Sequence, residues 1–89
     1  MAKTVWKFEL DSKDVNEFEI PKGGKVLSLQ LQHGSPCIWV LVDDELEKEK
    51  RRFGIVGTGH FIKQKNIEYI GTFQQSQGYL VFHCFEFFL

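Results

Sequence analysis

The chain has 89 residues with a nearly balanced charge, 11 Lys plus Arg against 12 Asp plus Glu, and 43% apolar residues that include nine Phe and two Trp. That length suits one compact domain, the composition is too apolar for intrinsic disorder, and the charge lacks the basic footprint of a nucleic-acid-polymer binder. No stretch approaches the ~20 uncharged apolar residues of a membrane-spanning helix, and Met1-Ala2-Lys3-Thr4-Val5-Trp6-Lys7 holds no apolar signal-peptide core, so the expectation is a single cytoplasmic domain over residues 1–89.

Apolar residues recur with period two almost throughout, the spacing of half-buried strands. In residues 4–10, Trp6, Phe8 and Leu10 share one face. Phe18 and Ile20 continue the alternation until Pro21-Lys22-Gly23-Gly24 supplies turn chemistry. Leu27, Leu29 and Leu31 then line one face opposite Ser28, Gln30 and Gln32, the cleanest half-buried strand by pattern. His33-Gly34-Ser35-Pro36 predicts a hairpin turn into residues 37–42, which are apolar on both faces and therefore read as a covered strand. Residues 43–52 hold five acids and four bases and read as a solvated loop, with one helical turn as the alternative.

Phe53 and Ile55 resume the period until Gly57-Thr58-Gly59 breaks it, residues 63–66 are polar, and residues 67–73 and 78–88 supply the last strands. About seven short strands with short connections predict an all-β, antiparallel β-sandwich or partly open β-barrel. The apolar run Phe85-Glu86-Phe87-Phe88-Leu89 reads as an unblunted strand edge. Phe85, Phe87, Phe88 and Leu89 are accordingly candidates for a homo-oligomeric contact, with packing into the domain's own core as the alternative.

Cys37 and Cys84 each sit in an apolar run and read as buried free thiols. Metal binding is disfavoured, since neither the His33/Cys37 nor the His83/Cys84 pair has the spacing of a structural zinc site, and no cofactor is expected. Gly57-Thr58-Gly59-His60 is the most suggestive element: two glycines let backbone approach a ligand, with Thr58 and His60 adding directional donors. A plain turn or bulge is the alternative, since GTG is common in turns and no P-loop lysine accompanies it. Tyr69-Ile70-Gly71-Thr72 would bring Thr72 close if its strand neighboured the first, and Trp39 or Tyr69 would offer a stacking surface; Trp6 and Tyr79 are further aromatic candidates. His60 and His83 could form an acid–base pair, but His83, flanked on its face by Val81 and Phe85, reads as a satisfied core histidine.

The segments Trp6-Lys7-Phe8, Ile20-Pro21-Lys22-Gly23, Leu31-Gln32-His33-Gly34, Pro36-Cys37-Ile38-Trp39-Val40-Leu41-Val42-Asp43, Gly57-Thr58-Gly59-His60, Tyr69-Ile70-Gly71-Thr72-Phe73-Gln74 and Leu80-Val81-Phe82-His83-Cys84-Phe85-Glu86 together resemble an uncharacterised family of small proteins encoded by bacteriophages and prophages. The resemblance runs from about residue 4 to residue 86. It implies a phage accessory protein in the host bacterial cytoplasm and assigns no activity and no catalytic residue. The expectation is therefore a non-enzymatic binding protein, for a small anionic ligand such as a nucleotide or for a host protein. An interaction inhibitor acting through a strand edge or the 43–52 segment is the alternative, and a small hydrolase using His60 and His83 is the weakest.

Overall fold

The computed structural model describes residues 2–11 and 15–88. Seven strands follow in order: β1 (Thr4–Glu9), β2 (Asn16–Pro21), β3 (Lys25–Gln32), β4 (Ser35–Val42), β5 (Lys48–Gly57), β6 (Asn66–Gln75) and β7 (Leu80–Phe88), with a short 3-10 turn at Ser76–Gly78 before β7. They form two antiparallel sheets, β1-β4-β3 and β2-β5-β7-β6, the all-β architecture that the period-two pattern predicts. No helix among the described residues is long and apolar enough to cross a membrane.

Ile38, Val40 and Val42 of the first sheet meet Leu10, Ile20, Phe53 and Cys84 in one core cluster. An aromatic file reinforces one flank, with ring centroids 4.9 Å apart for Phe8 and Phe18 and 6.1 Å for Phe18 and Phe53. Trp6 packs against this core, and the Lys48 ammonium stands 5.5 Å from its ring centroid. Both cysteines are free and buried, as their apolar settings predict. Burial pushes the Cys84 thiol up to about 12.

The His33-Gly34 turn joins β3 to β4 with both residues at positive φ, +50° and +81°, matching the right-handed twist of the paired strands. The expected alignment of the three leucines is broken earlier in β3. The register slips between Val26 and Ser28, so that Val26 opposes Val40, Ser28 opposes Trp39, and Leu27 is the extra residue of a bulge. Val26 and Leu29 therefore face the core, and Leu27 is 49% exposed.

The 43–52 charge run is only half loop. Residues 48–52 begin β5 and pair with β2, placing Lys50 opposite Glu19 and Arg52 opposite Glu17. Cross-strand opposite charges stabilise such a ladder, and Arg52 Nε lies 3.1 Å from Glu17 Oε2. Alternation sends Arg51 inward, where its guanidinium is bidentate to Glu86, at 2.6 and 2.8 Å, and donates to the Gly24 carbonyl. The hydrogen bond to Glu86 raises the Arg51 pKa further above its ordinary value.

The C-terminal strand follows the alternative reading, packing within its own domain instead of standing as an open edge. β7 lies between β5 and β6, so the C-terminal strand is an interior strand with both backbone edges paired. Phe87 is 8% exposed, Phe85 is half-buried and Phe88 is exposed, while Leu89 lies outside the described residues. The outer strands are instead β1 and β3 in one sheet and β2 and β6 in the other. Because β5 and β6 both run antiparallel to β7, they run parallel to each other, and the 58–65 connection returns the chain past β7.

Candidate functional site

At the end of β5, the Gly57-Thr58-Gly59-His60 element is a tight turn. The His60 N–H donates to the Gly57 carbonyl at 3.0 Å, and Gly59 has φ +89°, a conformation that favours glycine. The Thr58 N–H donates to the Val81 carbonyl at 3.2 Å. Two of the turn's N–H groups are thus spent inside the fold, and the turn acts by fixing the Thr58 side chain. That hydroxyl lies 2.7 Å from His83 Nε2 and 3.3 Å from the Val81 carbonyl oxygen.

The other ring nitrogen is engaged from the far side. His83 Nδ1 lies 2.9 Å from Thr72 Oγ1, which lies 2.6 Å from Tyr69 Oη. β5 and β6 are not neighbours, yet Thr58 and Thr72 meet at one imidazole because β7 runs between them. A second bulge makes this possible. Tyr69 opposes Phe85, Gly71 opposes Cys84 and Thr72 opposes His83, leaving Ile70 as the extra residue. In an unbroken strand, residues three apart point to opposite faces; the bulge puts Tyr69 and Thr72 on the same face. Ile70 turns inward to the core, and Gly71 keeps its place because a Cβ there would meet Leu29 of β3 at 3.1–3.2 Å.

Cys84, fully buried, sets the inward face of β7, so His83 and Phe85 face outward. His83 is therefore satisfied, as expected, but on the half-buried outer face rather than in the core. Tyr69 is 58% exposed and packs edge-on against Phe85, with centroids 5.7 Å apart. The result is a row of three hydroxyls and one imidazole beside an aromatic surface.

Other predicted site residues fall elsewhere. Trp39 alternates with the buried Ile38 and Val40, so it sits on the outer face of the other sheet, between Lys7 and Ser28 in register, and both sheets separate it from Thr58. His60 takes no part in the row; its ring stands 3.4 Å from where a Gly57 Cβ would be, and it helps line a cleft of about 190 Å³ with Val56, Phe61 and Phe87. Phe61, which the sequence pattern does not single out, is 96% exposed, and Tyr79 is 87% exposed.

The matching family model, a domain of unknown function termed DUF7352, spans residues 1–87 and so takes in every element of this site. The chain belongs to the DUF7352 family. No curated protein and no solved structure matches it.

Proposed function

We propose that the protein is a non-enzymatic binding protein whose site is the outer-face row Thr58, His83, Thr72 and Tyr69, flanked by the 57–60 turn, and whose ligand is a small anion such as the phosphate of a nucleotide. The observation that supports this reading is the convergence of Thr58, in the turn after β5, and Thr72 of β6 on one outward-facing imidazole of β7. On a wet sheet face water would satisfy each group separately, so a pre-ordered array adds directional donors and acceptors for something that docks there. Both imidazole nitrogens are hydrogen-bonded to hydroxyls, which holds the ring in place within the row. The biological setting of the proposal, a phage accessory protein countering a host process in the bacterial cytoplasm, is supported by the family resemblance of the sequence.

Native mass spectrometry of the gently purified protein, followed by denaturing release, tests the reading. The wild type should carry a bound small molecule that Thr58→Ala/Thr72→Ala loses while keeping its fold. Equal retention by the double variant would remove this site. A second reading, a protein-binding module, is supported by the exposure of Phe61 in the 58–65 connection and of Tyr79 in the turn before β7. If it holds, Phe61→Ser/Tyr79→Ser should release a host protein that the threonine variant still retains.

A further inference from the structure

A neutral imidazole carries one N–H and one lone pair, so the row of hydrogen bonds through His83 has a direction. Run inward, Tyr69 Oη–H donates to Thr72 Oγ1, Thr72 Oγ1–H to His83 Nδ1, His83 Nε2–H to Thr58 Oγ1, and Thr58 Oγ1–H to the Val81 carbonyl. Every proton is then spent inside the molecule, and Tyr69 offers solvent only a lone pair. Run outward, Thr58 Oγ1–H donates to Nε2, Nδ1–H to Thr72 Oγ1 and Thr72 Oγ1–H to Tyr69 Oη, leaving the Tyr69 Oη–H pointing away from the protein.

The inward arrangement makes four internal bonds and the outward one three. The bond that separates them is the longest of the set, 3.3 Å, and its acceptor, the Val81 carbonyl, also receives the Thr58 N–H at 3.2 Å. Reversal therefore forfeits one long neutral hydrogen bond, whereas an anion at Tyr69 would gain a charge-assisted one, which is roughly twice as strong. Among the described residues no charged side chain is hydrogen-bonded to the row: in register His83 faces Val56 and Thr72, with Val81 and Phe85 along its own strand, and the outer-face pair Arg52 and Glu17 stands toward the Phe87 end.

We propose that the resting chain runs inward and that an anion accepting a hydrogen bond from Tyr69 Oη reverses it, making His83 a tautomeric switch. The hydroxyls turn about their C–O bonds, and the imidazole loses the Nε2 proton to water while gaining one from water at Nδ1, so the net charge of the protein is unchanged. This deepens the anion-binding reading, on which it rests, by naming Tyr69 Oη as the atom that meets the ligand.

Long-range 1H–15N spectra of the labelled protein at about pH 8, where an ordinary imidazole is neutral, read the tautomer directly, with sulfate as the probe because its charge stays constant there. The Nε2–H pattern is expected for His83 at rest and the Nδ1–H pattern with sulfate bound, and Tyr69→Phe should hold the resting pattern in sulfate. A resting Nδ1–H pattern would overturn the inference. So would saturable sulfate shifts at the Tyr69 and Thr72 amides with an unmoved imidazole, an outcome that leaves the anion site standing. Absence of any saturable shift on this face would remove the anion reading and the switch together.

Discussion

β5 and β7 are tied by two side-chain links of opposite character. Toward one end Arg51 grips Glu86, whose side chain is 4% exposed; toward the other, the Thr58 hydroxyl meets His83 on the outer face. The first link is charged and removed from water, so losing either partner strands a charge. The second is neutral and open to water, so solvent replaces whatever is lost. The same two strands thus carry a link that the fold needs and one that it can spare, and only the second is free to be shaped by a ligand.

Breaking the buried link should give the largest effect. Arg51→Met leaves Glu86 buried without its bidentate partner, and a loss of about 3–5 kcal/mol in urea unfolding is expected. Adding Glu86→Leu should restore much of that loss, because the cost lies in the unpaired charge rather than in missing attraction. A single variant as stable as wild type would mean that water reaches Glu86, and the contrast between the two links would fail.

Gly71 connects the regions, since it sits inside the bulge that aims Tyr69 and Thr72 while touching Leu29 of the facing sheet. Gly71→Ala should cost about 1–3 kcal/mol through overpacking. Leu29→Ala in the same chain should cost less than it does alone, because the new methyl enters the space it vacates. Strict additivity in the double-variant cycle would show that the close approach does not hold the bulge.

Cys84, between the two links on β7, offers a measure set by pH. Its folded pKa of about 12 lies above the ordinary 9.0, so the unfolded chain releases the thiol proton first as pH rises. The associated stability is complete below about pH 9 and is lost as pH climbs toward 12, by about 1.4 kcal/mol per pH unit at most. Cys84→Ala should be the less stable protein at neutral pH and show a shallower alkaline decline than wild type. Parallel declines would show that the thiol does not stay protonated in its burial site.

The sandwich itself is legible in the sequence because burial on one face of a strand writes a period of two. The site is less so, because it depends on where that period fails. Leu27 keeps the leucine alternation in sequence yet is displaced by a bulge, and nothing in Tyr69-Ile70-Gly71-Thr72 apart from its glycine signals that two residues three apart will share a face. The order β5-β7-β6 is equally hidden: adjacent segments usually pair, so the C-terminal strand reads as an edge when it is an interior strand. Thr58 and Thr72 were readable as polar residues near glycines, whereas His83 needed that strand order before its two partners could be seen. Glu86 carried a signal of its own, a lone carboxylate within Phe85-Glu86-Phe87-Phe88, which demanded a buried cation and found Arg51.

The smallest expected effect is the most informative for the outer link. Thr58→Val and Thr72→Val keep the β-branched shape while removing the hydroxyl, and at exposed positions each should change stability by no more than about 0.5 kcal/mol. Small changes in both would mean that the row through His83 is not maintained by the demands of folding, leaving ligand recognition as the role that accounts for its order. A loss above about 2 kcal/mol in either would place the row beside Arg51 and Glu86 as a second structural clasp between β7 and its neighbours. The contrast would then collapse, and the exposed rings of Phe61 and Tyr79 would become the better place to look for function.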